Sequence, residues 1–141
     1  MQITRSKALG LAGTRIGYII GGKTFLDAFS SLSLILPQTS LFAAIEAMKN
    51  PEYSNKNIEL ISNERERVRR QLKEIGLQVY PSTTNFLLID TNIPNIGTKL
   101  LERGIHVLDL SDRWLAGYIR VSIGTQEEND IFISNIREIL I

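Results

Sequence analysis

Apolar residues recur at helical spacing most clearly in the middle of the chain. Ile58, Ile61, Val68, Leu72 and Ile75 are separated by steps of three, seven, four and three. This spacing lays one stripe along a helix and predicts a helix over 56–75, closed by Gly76 as its C-terminal cap. The charges of "ERERVRR" fall mostly on the other face, where water solvates them. Beyond Gly76, "NFLLID" (85–90) is a short apolar run of the kind a buried strand shows. Residues 95–103 predict a short helix ending at Gly104. "IHVLDL" (105–110) and "YIRVSI" (118–123) alternate as strands do. Thr125 followed by Glu128 is a capping box, which predicts a last helix over 126–140. From residue 52 the order is helix, strand, helix, strand, strand, helix. That describes a compact α/β unit of roughly 90 residues, an ordinary small-domain size.

The first 50 residues do not follow this plan. "TRIGYII" (14–20) reads as a strand bounded by glycines, and 25–48 as helix interrupted at Pro37 and stopped at Asn50-Pro51. One strand and a helix with apolar residues on several faces cannot bury each other. Residues 1–50 are therefore expected to be a piece of a larger sheet domain whose other strands lie elsewhere.

Composition narrows the functions. The net charge of +1 gives no electrostatic case for nucleic acid or an anionic membrane. The absence of cysteine excludes disulfides, thiolate metal sites and a cysteine nucleophile, and it fits a reducing, cytoplasmic location. His106 is the sole histidine, so a multi-histidine metal centre is excluded. Residues 1–7 lead into no long apolar run, so no signal peptide is expected. The longest apolar stretches are far short of the ~20 residues that span a bilayer.

Two stretches invite chemistry. Residues 17–24, "GYIIGGKT", satisfy the G-x-x-x-x-G-K-[ST] pattern of a P-loop NTPase, and "FLLID" ends on an aspartate, Asp90. A P-loop needs a strand before its first glycine and loop residues between the two glycines. Here Tyr18, Ile19 and Ile20 are the strand-like part, and the order is reversed. The other stretch is "SKALGLAGTRIGY" (6–18). Lys7 can act on a carbonyl if its position and pKa are controlled. Ser6 offers a short hydroxyl, Arg15 a forked donor suited to phosphate, and Gly10 and Gly13 backbone that an anion can approach. A phosphorylated aldehyde cofactor needs that set. On spacing alone, an exposed loop lysine and a surface arginine are the better account.

"SKALGLAGTRIGY" resembles the cofactor-lysine segment of fold-type I pyridoxal-phosphate aminotransferases, S-K-x-x-G-L-A-G-x-R-x-G-Y, closest to the histidinol-phosphate aminotransferase branch. "YPSTTNFLLID" (80–90) is similar to that branch's P-S-x-x-N-F strand. "GIHVLDLSDRWLAGYIRVSIGTQEEND" (104–130) is similar to its closing G-I-x-V-R … G-Y-I-R-V-T-I-G-T-x-E-E-N segment. The resemblance runs in order along nearly the whole chain. It implies that Lys7 bonds to pyridoxal 5'-phosphate and moves the substrate proton, that Ser6 and Arg15 bind the cofactor phosphate, and that Arg120 grips the substrate carboxylate. Asn85 matches the family's N-F and reads as a structural hydrogen bonder; Asp90 and His106 match nothing catalytic.

Two departures qualify what is implied. The branch has arginine after its strand valine, where it helps to hold the substrate's phosphate. This chain has Leu108, which cannot, and Arg113 is the nearest substitute. The family chain is also much longer. The fold class implied is α/β, the C-terminal part of an aminotransferase. Residues 1–50 would be the edge of the large cofactor domain, and 51–141 the small domain with its linking helix 56–75. The implied activity is transamination between an amino acid or amino-alcohol phosphate and a 2-oxo acid. It would belong to a homodimeric whole enzyme that includes an N-terminal half, and this piece would be inactive alone. A decarboxylase on the same scaffold and a non-catalytic truncated domain are the alternatives.

Overall fold

The computed structural model describes residues 2–3, 9–29, 35–113 and 115–140. The chain divides into two compact units, 1–59 and 60–141.

In the first unit, β1 (Gln2–Ile3) pairs antiparallel with β2 (Tyr18–Ile19), so the strand expected over 14–20 is shorter than expected and has a partner within the chain. A 3-10 turn, Ala12–Thr14, precedes β2. Two helices follow, α1 (Lys23–Asp27) and α2 (Gln38–Lys49). Pro37 caps the start of α2, where its missing N–H costs nothing. The stop at Asn50-Pro51 is real, yet Pro51 also opens the next helix, α3 (Pro51–Glu74). The fixed φ of proline suits a first helical position, which is why α3 begins before its apolar stripe does. Among the described residues of this unit no hydrophobic side chain is buried. Ile35, Phe42, Met48 and Tyr53 are more than half exposed, Ile35 at 94%.

The second unit has a core. Its sheet is antiparallel in the order β3-β4-β6-β5, with β3 Gln78–Val79, β4 Phe86–Asp90, β5 Leu108–Asp109 and β6 Tyr118–Ser122. One face carries Val79, Leu87, Ile89, Ile119 and Val121, all buried. They join Val68 and Leu72 of α3, Ile96 and Leu100 of α4 (Ile96–Leu101), and Phe132, Ile133 and Ile136 of α5 (Gln126–Leu140). Each such side chain removed from water contributes about 1.5–3 kcal/mol, set against the entropy of ordering the chain.

Helix ends are closed as the sequence suggests. Gly76 takes φ +90°, the Leu77 N–H bonds the Leu72 carbonyl at 3.1 Å, and the Gly76 N–H bonds that of Lys73 at 3.0 Å. These are the two bonds of a Schellman cap, a backbone path that glycine follows without a Cβ penalty. The capping box also forms. The Thr125 N–H donates to Glu128 Oε2 at 2.8 Å, and the Glu128 N–H to Thr125 Oγ1 at 3.3 Å. The Thr125 N–H bond is the main cause that holds the Glu128 carboxyl below its ordinary range.

Arg67 ties α3 to α5. Its guanidinium grips both oxygens of Glu64 at 2.9 Å and reaches Asp130 at 2.6 Å. Glu64 in turn accepts from the buried Asn129 amide at 2.9 Å. The bonds from Arg67, above all, depress the Glu64 pKa. A carboxyl whose folded pKa lies below its unfolded value stabilises the fold above the unfolded value. It loses that contribution as pH falls through the folded one. Glu64→Gln should therefore lower stability by about 1–3 kcal/mol near pH 7 and by far less near pH 3. Thermal unfolding at the two pH values checks this; an equal loss at both would contradict it.

Candidate functional site

Of the four residues assigned roles from the sequence, Ser6 and Lys7 lie outside the described residues. Arg15 belongs to the unit 1–59 and Arg120 to the unit 60–141.

The turn after Lys7 is built from glycine and short side chains. Gly10 sits at φ +69°, and a Cβ placed there would meet nothing within 4 Å, so the peptide is open to an approaching group. The Thr14 hydroxyl donates to the Leu11 carbonyl at 2.8 Å and closes the turn. Arg15 then takes a left-handed conformation, φ 53° and ψ 33°. That costs a non-glycine residue about 1–3 kcal/mol, a cost that recurs at ligand-binding turns. Its side chain is exposed. The guanidinium donates to the Ala12 carbonyl of its own turn at 3.5 Å, and no carboxylate pairs with it among the described residues. An exposed, unneutralised guanidinium beside open glycine backbone fits a phosphate group.

The P-loop reading has no such support. Tyr18–Ile19 form β2 between the pattern's glycines, and Lys23, the pattern's lysine, bonds Asp27 at 2.8 Å within α1.

Arg120 lies on the sheet face opposite the core of its own unit. Antiparallel register puts Arg120 level with Leu88 on β4 and with Leu108 on β5. Its guanidinium carbon is 4.9 Å from the centre of the Phe86 ring. The same face carries Tyr80 and Tyr118, with ring centres 6.2 Å apart and hydroxyls at 3.3 Å. The Tyr80 hydroxyl and the Asp90 carboxylate push the Tyr118 phenol above its usual range. Asp90 also accepts from the Asn92 N–H at 3.1 Å. Asp90 is thus the acid on this face, and it is engaged with its own loop and a tyrosine. The Asn85 carbonyl accepts from the Ile123 N–H at 2.9 Å, a backbone bond that continues the β4–β6 ladder. His106 and Arg113 are exposed. The aromatic stack under Arg120 was not read from the sequence. "NF" places Phe86 two residues before Leu88, but only the β4–β6 register brings it beside Arg120.

Comparison with known proteins places these features in a family. A profile described as aminotransferase class I and II matches residues 3–136, nearly the whole chain. The chain belongs to the class I and II aminotransferases. Histidinol-phosphate aminotransferase 2 of Archaeoglobus fulgidus is 39% identical over 138 residues, which cover 95% of this chain and 40% of that protein. Histidinol-phosphate aminotransferase of Pyrococcus furiosus is 42% identical over 142 residues, covering 97% of this chain and 39% of its own. The crystal structure of histidinol-phosphate aminotransferase from Sinorhizobium meliloti in complex with pyridoxal-5'-phosphate superposes with a TM-score of 0.79 at 29% identity. That match spans 96% of this chain and 39% of that one. The aminotransferase chain therefore spans about two fifths of the length of the curated relatives it matches.

Proposed function

We propose that the whole protein to which this chain belongs is a pyridoxal-phosphate-dependent aminotransferase moving an amino group from an amino acid to a 2-oxo acid. The observation that carries this reading is the extent of the family match, residues 3–136. It takes in both the Lys7–Arg15 segment and the Arg120 strand.

In this reading the residues divide the labour. Arg15 and Ser6 hold the cofactor phosphate. Lys7 Nζ would hold the cofactor aldehyde and would take and return the proton at the substrate α-carbon. When bound, the cofactor supplies the electron sink for that carbon. Arg120 takes the substrate carboxylate in a bidentate pair. The relatives' names bring an amino-alcohol phosphate into the range of substrates. Leu108 weighs against it, because the position level with Arg120 offers no second cation for a phosphate. Amino acids are therefore expected to be better donors than histidinol phosphate.

The test is Arg15→Ala in the whole enzyme. Charge-assisted bonds to phosphate are worth about 1.5–3 kcal/mol each, so cofactor Kd should rise tenfold or more. The KM for amino donors should change much less. An unchanged cofactor Kd would contradict the assignment.

A further inference from the structure

We propose that Phe86 is the positioning residue for Arg120: its ring face holds the guanidinium in the plane that a carboxylate needs. The proposal rests on the reading of Arg120 as the carboxylate-binding residue.

Arginine on an exposed strand position has a long stem and many rotamers, and freezing them carries an entropic cost. A bidentate bond requires one orientation of the guanidinium plane, so whatever narrows the rotamers beforehand raises affinity. Phe86 is placed to do this. It pairs with Ser122, and Arg120 pairs with Leu88, so Phe86 and Arg120 are diagonal neighbours on one face. Diagonal neighbours are within reach for an aromatic ring and a long side chain. The 4.9 Å separation lies within the ~6 Å over which a ring face attracts a cation.

The surroundings leave the guanidinium few other partners. Leu88 and Leu108 flank Arg120 on the two neighbouring strands and offer no hydrogen-bond acceptor from their side chains. Asp90, on the same face, accepts from the Asn92 N–H. Among the described residues no carboxylate pairs with Arg120, so its donors are available to a ligand. The ring supplies attraction without occupying an N–H in the guanidinium plane, which a carboxylate of the protein would do.

The experiment is a double-mutant cycle in the whole holoenzyme, with kcat and KM for an amino donor and a 2-oxo acid. Phe86→Leu should raise both KM values about three- to tenfold while kcat stays within about twofold, and Phe86→Tyr should restore them. In an Arg120→Ala background Phe86→Leu should have a clearly smaller effect than in the parent enzyme, because the contact with Arg120 is already gone. Phe86→Met, whose flexible side chain adapts to the space the ring leaves, is read in parallel in case the leucine variant does not fold. Unchanged KM in the folded Phe86 variants, with KM raised by Arg120→Ala, would overturn the proposal and leave the Arg120 assignment standing. Unchanged KM in Arg120→Ala would overturn both. Equal losses from Phe86→Leu in the two backgrounds would assign Phe86 a role independent of Arg120 and also overturn it.

Discussion

Lys7→Ala in the whole enzyme is expected to lower turnover by at least about a thousandfold. The size follows from the two tasks given to one amine. As the nucleophile it holds the cofactor aldehyde, and as the proton carrier it works at the substrate α-carbon. Proton transfer by a positioned side chain alone contributes roughly 10²–10⁴ in rate. Cofactor affinity should fall far less, because Ser6 and Arg15 still hold the phosphate. The fold should be unaffected at the level of the 60–141 core, which contains none of these residues. Single-turnover rates with saturating cofactor measure the effect, and near-normal turnover would remove Lys7 from its role.

The second large effect concerns the 141-residue chain by itself. Its two units should behave differently. All the buried hydrophobic residues among those described lie at or beyond Val68. Among its described residues the unit 1–59 has apolar side chains but no buried core to hold them. An apolar hollow of about 180 Å³ lies between the turn at Leu9 and Leu11 and the α2 residues Leu41, Ile45 and Met48. Exposed Phe42 and Ile35 would each gain about 1.5–3 kcal/mol from a cover, and no described residue of the unit buries them. We expect backbone amides in β4, β6 and α5 to resist hydrogen exchange, and those of residues 9–29 and 35–49 to exchange orders of magnitude faster. Because Arg15 belongs to the unit without a buried hydrophobic residue among those described, the isolated chain should not transaminate. Orientation of reacting groups accounts for a large share of rate enhancement, and an unsupported turn cannot supply it. Turnover by the isolated chain that Lys7→Ala abolishes would contradict this.

How far the sequence could be read depended on how much of each element was periodic or capped. α3 and α5 carry long apolar stripes, and Gly76 and the Thr125–Glu128 box mark their ends, so both helices were legible. β4 and β6 are five residues each and alternate or run apolar. β3 leaves no signature in the sequence and β5 is shorter than the alternation over 105–110 suggests, because two-residue strands have no period to detect. The β1–β2 pair was illegible for another reason. It joins residues sixteen or so apart through a register that no local pattern encodes. The site divides in the same way. The residues from Ser6 to Arg15 stand in one contiguous motif. Arg120, Phe86 and Leu108 come from three strands, and only strand order and register make them neighbours.

The central claim is that Lys7 carries the cofactor, and chemical trapping tests it most directly. Borohydride reduces a carbon–nitrogen double bond between a lysine and the cofactor aldehyde to a stable amine. The whole enzyme, saturated with pyridoxal phosphate, is reduced, digested and mapped by mass. One stoichiometric adduct is expected, on the peptide containing Lys7, with loss of the visible absorbance and of activity. A stoichiometric adduct on another lysine, or scattered partial labelling with Lys7 unmodified, would contradict it.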